Sequence, residues 1–227
     1  MTRTTAALLL FALAIAVPAL AVAGVAAQEF AADLVNRDAA GAAPRPAGKL
    51  NVSAGRIRLE TPDAKGGYVL VLTDARAAYF VQPASRVALV VEHASLPARM
   101  LVAVDPDNPC LAWQALPKTA ATGDHDTAEW RCERSGSDDA DGHGATVAYL
   151  ATSPEGQRYL TAIDRKLRFP VSLASADGTV LEVVNVSPGP QPQDLFVLPA
   201  NYQKFSLQEL IERMKHADVS GASTPPQ

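Results

Sequence analysis

Three neighbouring polar residues have the composition of a small catalytic or metal-binding unit. Asp124, His125 and Asp126 place an imidazole, which can bind a metal or accept a proton, between two carboxylates that could orient it. The sequence holds no Gly-x-Ser-x-Gly, His-Glu-x-x-His or glycine-rich phosphate-binding motif. We therefore interpret the segment as a solvated loop and predict no catalytic residue. A hydrolase that uses these three residues is the alternative.

A second acidic segment is similar to a calcium-binding loop. Residues 138–143 read Asp-Asp-Ala-Asp-Gly-His. Ser137 stands at the first ligand position, and Ala148 stands at the twelfth, where such a loop requires a bidentate glutamate. We interpret this segment as a charged hairpin turn and predict neither a metal site nor a cofactor.

The amino terminus has the layout of a cleaved secretory signal peptide. Arg3 supplies a positive charge, residues 6–17 form an apolar run, and residues 25–27 are small. We predict that residues 1–27 are removed; an uncleaved signal anchor is the alternative, because residues 6–27 could almost span a bilayer. No cysteine lies near the cleavage site to carry a lipid anchor. The expected product is a soluble periplasmic protein.

The two cysteines then belong to an exported chain. In an oxidising compartment this predicts a disulfide between Cys110 and Cys132. The bond would stabilise the fold by about 3 kcal/mol by constraining the unfolded chain. Two unpaired buried thiols are the alternative, and zinc would need further ligands. Trp113 and Trp130 flank the pair, and we expect them to pack in the core beside it rather than to form a ligand platform.

Charge and hydropathy limit the partners. The formal net charge is −4, and no cluster of lysine and arginine interrupts this mildly acidic balance. A nucleic-acid-binding protein needs a concentrated basic surface, so we predict no nucleic-acid partner. After the signal peptide there is no second long apolar run. Contact with a membrane is therefore expected to be transient at most.

Residues 28–217 read as one β-rich domain, followed by a disordered tail at 218–227. Apolar and polar residues alternate with a period of two, and turn residues separate the segments. The run at 68–72 is apolar on both faces, which predicts a central strand covered on two sides. Asp177 and Gly178 predict a type I′ hairpin. The predicted strands cover residues 30–35, 50–53, 57–60, 68–72, 78–82, 87–92, 100–104, 145–151, 159–163, 167–173 and 180–186, with a further strand beginning at 130–132.

One helix is predicted near the carboxyl terminus. Ser206 as N-cap and Glu209 three residues later form a capping box. The residues at helical spacing on one face are Leu207, Leu210, Ile211 and Met214. We expect this apolar stripe to pack on the sheet.

The strands carry more apolar positions than a small sandwich needs. A curved sheet whose concave side is closed by helices would hold that surface as a ligand cavity. A filled core is the alternative, and the sequence does not separate the two. The ligand-lining residues, chosen by alternation alone so that the opposite face is the other possibility, are Leu70, Leu72, Tyr79, Val81, Leu89 and Val91.

Eight segments of strand and turn residues follow one another over most of residues 28–216: residues 30–34, 48–59, 68–74, 78–83, 164–170, 177–178, 196–199 and 202–205. Their succession resembles the LolA-like superfamily of the bacterial envelope. The resemblance consists of strand and turn patterns rather than a chemical signature.

The resemblance implies an α+β, mainly β fold: an unclosed antiparallel β-barrel with a helical lid. It implies a non-enzymatic periplasmic carrier or binding protein for a lipid, the acyl chain of a lipoprotein or another hydrophobic ligand. An acyl chain contributes about 0.8 kcal/mol for each buried CH₂, so an apolar cavity suffices to bind it. An envelope sensor or scaffold that binds a protein partner is the alternative function.

Overall fold

The computed structural model describes residues 28–38, 43–73, 75, 77–91, 100–115, 129–136 and 145–221. These residues are mainly β, with two α-helices, α1 (Cys110–Gln114) and α2 (Leu207–Gly221). None of the described helices is long and apolar enough to cross a membrane. The strands are β1 (Glu29–Arg37), β2 (Arg45–Ser53), β3 (Arg56–Glu60), β4 (Tyr68–Leu72), β5 (Ala77–Gln82), β6 (Val87–Val90), β7 (Arg131–Arg134), β8 (Thr146–Thr152), β9 (Arg158–Asp164), β10 (Phe169–Ser175), β11 (Val180–Pro188) and β12 (Gln203–Phe205).

All twelve described strands belong to one sheet. Their order is β12-β6-β5-β4-β3-β2-β1-β11-β10-β9-β8-β7, so β12 and β7 are the two edges and the sheet is not closed. Neighbouring strands are antiparallel, except that the short β12 pairs with β6 in parallel. The predicted mainly β, unclosed and largely antiparallel sheet is therefore confirmed, and β4 lies inside the sheet as predicted.

Two hairpin turns differ in how they reverse the chain. Ala54 and Gly55 both have positive φ, at 48° and 80°, which is the signature of a two-residue type I′ turn between β2 and β3. The predicted type I′ turn at Asp177 and Gly178 is wrong, because only Gly178 has a positive φ (84°). Its N–H donates to the carbonyl of Ser175 at 3.0 Å. This turn therefore has one residue, Gly178, in the left-handed region, where a type I′ turn has two.

The predicted strand at 100–104 is wrong. These residues belong to no strand of the sheet, although the N–H of Val104 donates to the carbonyl of Arg168 at 2.9 Å. Met100, Leu101, Val102 and Val104 are all buried. An apolar run of this length indicates burial, and here the segment crosses the core without joining the sheet.

The main core lies between one face of the sheet and the segment 100–113. Strands on both sides of the centre supply buried side chains to it, and the rings of Phe30 and Phe169 meet edge to face at 5.3 Å. We call the face that carries these side chains the inner face. Its buried hydrophobic residues are Phe30, Ala32, Leu34, Leu50, Val52, Ile57, Leu59, Val147, Tyr149, Ala151, Tyr159, Ile163, Phe169, Leu173 and Val183.

A disulfide ties the core segment to an edge strand. Cys110 at the start of α1 is bonded to Cys132 in β7, which confirms the predicted pairing. The rings of Trp113 and Trp130 lie 5.5 Å apart and both are buried, as expected for core packing. The indole N–H of Trp113 donates to the carbonyl of Met100 at 3.2 Å, so its polar edge is satisfied.

Helix α2 begins as the sequence predicts. The N–H of Ser206 donates to Oε2 of Glu209 at 2.7 Å, and the N–H of Glu209 donates to the hydroxyl oxygen of Ser206 at 3.1 Å. The helical backbone continues to Gly221, past the expected domain boundary at 217. Leu207 is 57% exposed, so this member of the predicted apolar stripe does not pack on the sheet.

Replacing both cysteines, Cys110→Ser with Cys132→Ser, should lower the free energy of unfolding by about 3 kcal/mol, because the closed loop no longer restricts the unfolded chain. Urea denaturation of the oxidised wild type and of the double variant measures the difference. The reduced wild type is the control and should unfold at the same urea concentration as the variant. Equal midpoints for all three proteins would show that the bond contributes nothing.

Hydrogen bonds from the backbone N–H and the hydroxyl of Ser206 hold the pKa of the Glu209 carboxyl below its usual range. A lowered pKa means that the ionised carboxylate stabilises the folded state near neutral pH. This stabilisation should be lost as the pH falls through that lowered pKa. Carboxyl chemical shifts followed by NMR titration should place the pKa of Glu209 below that of a glutamate side chain in an unstructured peptide, and Glu209→Gln should remove part of the acid sensitivity of α2. A Glu209 that titrates like a glutamate in an unstructured peptide would contradict the capping box.

Candidate functional site

Strand pairing decides which predicted lining residues share a face. Residues directly opposite one another across a strand pair point to the same side of the sheet. Leu70 is opposite Tyr79, and Tyr79 is opposite Val90. Leu89 is instead opposite Phe80, on the other side.

The six predicted lining residues therefore divide into two groups. Leu70, Leu72, Tyr79 and Val81 lie together on the outer face of β4 and β5. Leu89 and Val91 lie on the inner face, since Leu89 pairs with Phe80 and the N–H of Val91 donates to the carbonyl of Ala78. Alternation gave the correct spacing of the residues within each strand. It was wrong in placing Leu89 and Val91 of the β6 segment on the same face as Tyr79 and Val81 of β5.

The outer face of β4–β6 is covered by residues 189–202, which we call the strap. The strap leaves β11, crosses the outer face and leads into β12 beside β6. Leu70 and Val81 are fully buried beneath it, in one cluster with Phe196. The remaining members of this outer cluster are Tyr68, Ala88, Leu72, Tyr79, Leu195, Leu198 and Tyr202. The strap thus covers the centre of the outer face, at Leu70 and Val81, whereas Leu72 and Tyr79 stay partly exposed.

Arg58 holds the strap against the sheet. Its guanidinium carbon lies 3.5 Å from the centre of the Tyr68 ring, its Nε donates to Oε1 of Glu60 at 2.8 Å, and its Nη1 reaches the carbonyl of Leu195 at 3.5 Å. Burial raises the pKa of the Tyr68 hydroxyl, and the positive charge of Arg58 opposes that rise. Arg56 adds a second contact across the Phe196 ring at 5.4 Å.

The inner face of the same strands is apolar and only partly covered. Two rows of directly paired side chains run across β1–β6 on the inner face, and both begin at core residues of β1. One row consists of Ala32, Leu50, Leu59, Val69, Phe80 and Leu89, and the other of Phe30, Val52, Ile57, Val71, Ala78 and Val91. In each row the residues on β1–β3 are buried, whereas those further along are partly exposed: Val69, Val71, Ala78, Phe80, Leu89 and Val91.

We call the part of these rows that lies on β4–β6 the inner apolar surface: Val69, Val71, Ala78, Phe80, Leu89 and Val91. It continues the core without a polar break, because Val69 and Val71 also pack against the main core cluster. Val69, Val71, Ala78 and Phe80 lie on the face opposite to the one chosen for β4 and β5, which the sequence analysis left open as the other possibility. The signal that could have found them is the parity of the β5–β6 hairpin, in which Val81 pairs with Ala88, an odd-numbered residue with an even-numbered one.

One end of the inner apolar surface is bordered by Gln82. This residue pairs with Val87 at the start of β6, and its Oε1 is buried without a hydrogen-bond partner among the described residues. It packs against Gly67, where a Cβ atom would lie 2.8 Å from that oxygen and 2.9 Å from the Phe80 ring. Gly67 is therefore needed for Phe80 and Gln82 to lie over the turn before β4.

The other candidate sites are not built by the described residues. No group of three or more His, Cys, Asp or Glu side chains within them could hold a metal ion. The Asp124, His125 and Asp126 segment and the acidic segment at 138–143 lie outside the described residues.

No protein-family model and no curated protein matches the sequence. Among solved structures, two of PNGF-II match 82% of this chain at 9% and 7% identity, with TM-scores of 0.48 and 0.45. The match covers 33% and 32% of those chains, so this chain spans about a third of their length. An uncharacterized conserved protein from Thermus thermophilus matches 79% of this chain and 90% of its own at 10% identity and a TM-score of 0.36. With TM-scores below 0.5, none of these likenesses supports a shared function.

Replacing Arg58 with methionine should loosen the strap, because the aliphatic chain is kept while the charge over the Tyr68 ring and the reach to Leu195 are lost. The free energy of unfolding should fall by about 1–2 kcal/mol, as for a partly desolvated cation–π contact. The pKa of Tyr68 should rise further, because the opposing charge is removed, and a phenolate absorbance titration would detect it.

Arg158→Met is the control for Arg58→Met, because Arg158 is exposed at the start of β9. Its unfolding free energy should stay within about 0.5 kcal/mol of wild type. An Arg58→Met protein as stable as the Arg158→Met protein would contradict the role given to Arg58.

Proposed function

We propose that this protein is a non-enzymatic periplasmic carrier or binding protein for a lipid, a lipoprotein acyl chain or another hydrophobic ligand. The ligand occupies the inner apolar surface of β4–β6. The observation that carries the proposal is the pair of apolar rows that leave the core and end in partly exposed side chains on those strands.

The size and chemistry of this surface suit an acyl chain. Neighbouring strands are about 4.8 Å apart, so Val69 and Leu89 stand roughly 10 Å from each other across three strands. Every residue of the surface is a hydrocarbon side chain, and Phe80 adds a flat ring at its centre. A ligand that covers these groups gains about 25 cal/mol for each Å² of apolar area removed from water.

The proposal includes the shape of the sheet: an unclosed barrel, strongly curved, with helical elements over its inner face. Supporting it, strands from both halves of the sheet order contribute to one core cluster around the segment 100–113. Helix α1 ends that segment and is anchored to the edge strand β7 by the disulfide. The resemblance of the sequence to the LolA-like superfamily points to the same architecture and to an acyl ligand.

The proposed periplasmic location is based on the predicted signal peptide. The Cys110–Cys132 disulfide supports it, because such bonds persist in oxidising compartments. A soluble periplasmic protein with an apolar surface could move a hydrophobic ligand between two membranes. The same surface would accept the acyl chain of a lipidated protein.

Leu89 and Val90 provide a matched pair of variants. They are adjacent in β6, yet Leu89 belongs to the inner apolar surface and Val90 lies on the outer face, where it is 36% exposed. Leu89→Asp should weaken binding of a fluorescent fatty acid at least tenfold, because the ligand would have to desolvate a carboxylate. Val90→Asp should leave the affinity within threefold of wild type.

Native mass spectrometry of the purified mature protein adds a direct test of the carrier function. Lipid that copurifies with the wild type and the Val90→Asp protein, and is lost from the Leu89→Asp protein, would support the proposal. A wild type that carries no lipid and takes up no fluorescent fatty acid would overturn it. One stoichiometric protein partner with no bound lipid would favour an envelope sensor or scaffold instead.

A further inference from the structure

We infer that the ligand of the inner apolar surface is an anionic amphiphile, whose charged head lies at the end of β4–β6 marked by Gln82, Lys65 and Arg86. The inference rests on the proposed function and adds the polarity and the orientation of the ligand. Its basis is the arrangement of polar and charged residues around an otherwise hydrocarbon surface.

Two chain connections meet at this end of the sheet. Residues 61–67 lead into β4, and residues 83–86 join β5 to β6. Gly67, at the end of the first connection, packs against Gln82 and Phe80. In the second connection, the carbonyl of Arg86 accepts a hydrogen bond from the N–H of Gln203 in β12 at 2.9 Å. The two connections therefore border the same end of the inner apolar surface.

The two connections differ in charge from the rest of the protein. Lys65 and Arg86 are exposed, and neither forms an ion pair with any residue within the described part of the chain. Asp63 is the one acidic residue in these connections, so their charge is positive, whereas the chain as a whole carries −4. At the opposite end of β4 and β5, residues 73–76 contain one aspartate and one arginine and are neutral.

Gln82 supplies the polar group closest to the apolar rows. It stands two residues after Phe80 on the same face, and its side-chain oxygen is buried without a hydrogen-bond partner among the described residues. This oxygen is packed against Gly67, whereas the NH₂ group on the other side of the amide can donate to an anionic head. An acyl chain along Phe80 and Leu89 would bring its head next to this NH₂ group.

The attraction between the head and the two cations is electrostatic. Lys65 and Arg86 are exposed, so each contributes modestly and the effect depends on salt. Carboxylate and phosphate heads share the required charge and acceptor oxygens. A neutral head with the same chain would lose this contribution and keep the apolar contacts.

The test compares three ligands of equal chain length on the mature protein: palmitate, lysophosphatidic acid with a palmitoyl chain, and monopalmitoylglycerol. The variants are the double change Lys65→Gln with Arg86→Gln, and a control that removes the same charge elsewhere, Arg158→Gln with Lys166→Gln. Affinities are measured by displacement of a fluorescent fatty acid, at low and at physiological salt.

The Lys65/Arg86 variant should bind the anionic ligands about tenfold more weakly than wild type and monopalmitoylglycerol equally well, and the control variant should bind all three as wild type does. Preference for palmitate or for lysophosphatidic acid then distinguishes a carboxylate from a phosphate head. Equal affinities for neutral and anionic ligands in the wild type, or no effect of the double change, would overturn this inference and leave the proposed function intact. Binding of none of the three ligands would overturn both.

Discussion

The structure depends on a strand that is apolar on both of its faces and must be covered twice. Residues 68–72 read Tyr-Val-Leu-Val-Leu, so β4 presents Tyr68, Leu70 and Leu72 to one side and Val69 and Val71 to the other. The chain covers the outer side with its own strap, which Arg58 holds by contacts to the Tyr68 ring and to Leu195. On the inner side, within the part of the chain that the structure describes, the main core reaches as far as Val69 and Val71. The hydrocarbon surface beyond them, on β5 and β6, is what makes a ligand-binding function reasonable.

Much of the fold follows from local sequence patterns because local physics decides those features. The alternation in β2 and β3, the turn at Gly55, the capping box at Ser206 and the pairing of Cys110 with Cys132 involve short-range geometry or a count of two cysteines. Two failures have equally physical causes. Residues 100–104 are apolar enough for a strand, yet they fill the core beside the sheet, which only the tertiary packing determines. At the second turn Gly178 alone takes the left-handed conformation and Asp177 keeps a negative φ, whereas a type I′ turn needs a positive φ at both residues.

The candidate site was harder to predict than the fold, because it depends on a single register. A shift of one residue between paired strands moves every side chain to the opposite face. The connection at residues 83–86 pairs Val81 with Ala88, so Leu89 and Val91 lie opposite to Tyr79 and Val81. The sequence identified apolar residues at the correct spacing in β4–β6, and the sheet places four of them on the outer face, where the strap lies. Gly67 could not be recognised as part of the site, since its role appears only where Phe80 and Gln82 pack over it.

The central claim is that a hydrophobic ligand lies on the inner side of β4–β6 and not beneath the strap. Photoaffinity labelling of the mature protein with a fatty acid that carries a diazirine in its chain tests this directly, with the modified residues located by peptide mass spectrometry. The account predicts adducts on inner-face residues such as Phe80 and Leu89 that are suppressed by excess unlabelled fatty acid. Suppressible adducts on Leu72, Tyr79 or Val90, or no suppressible adduct at all, would contradict it.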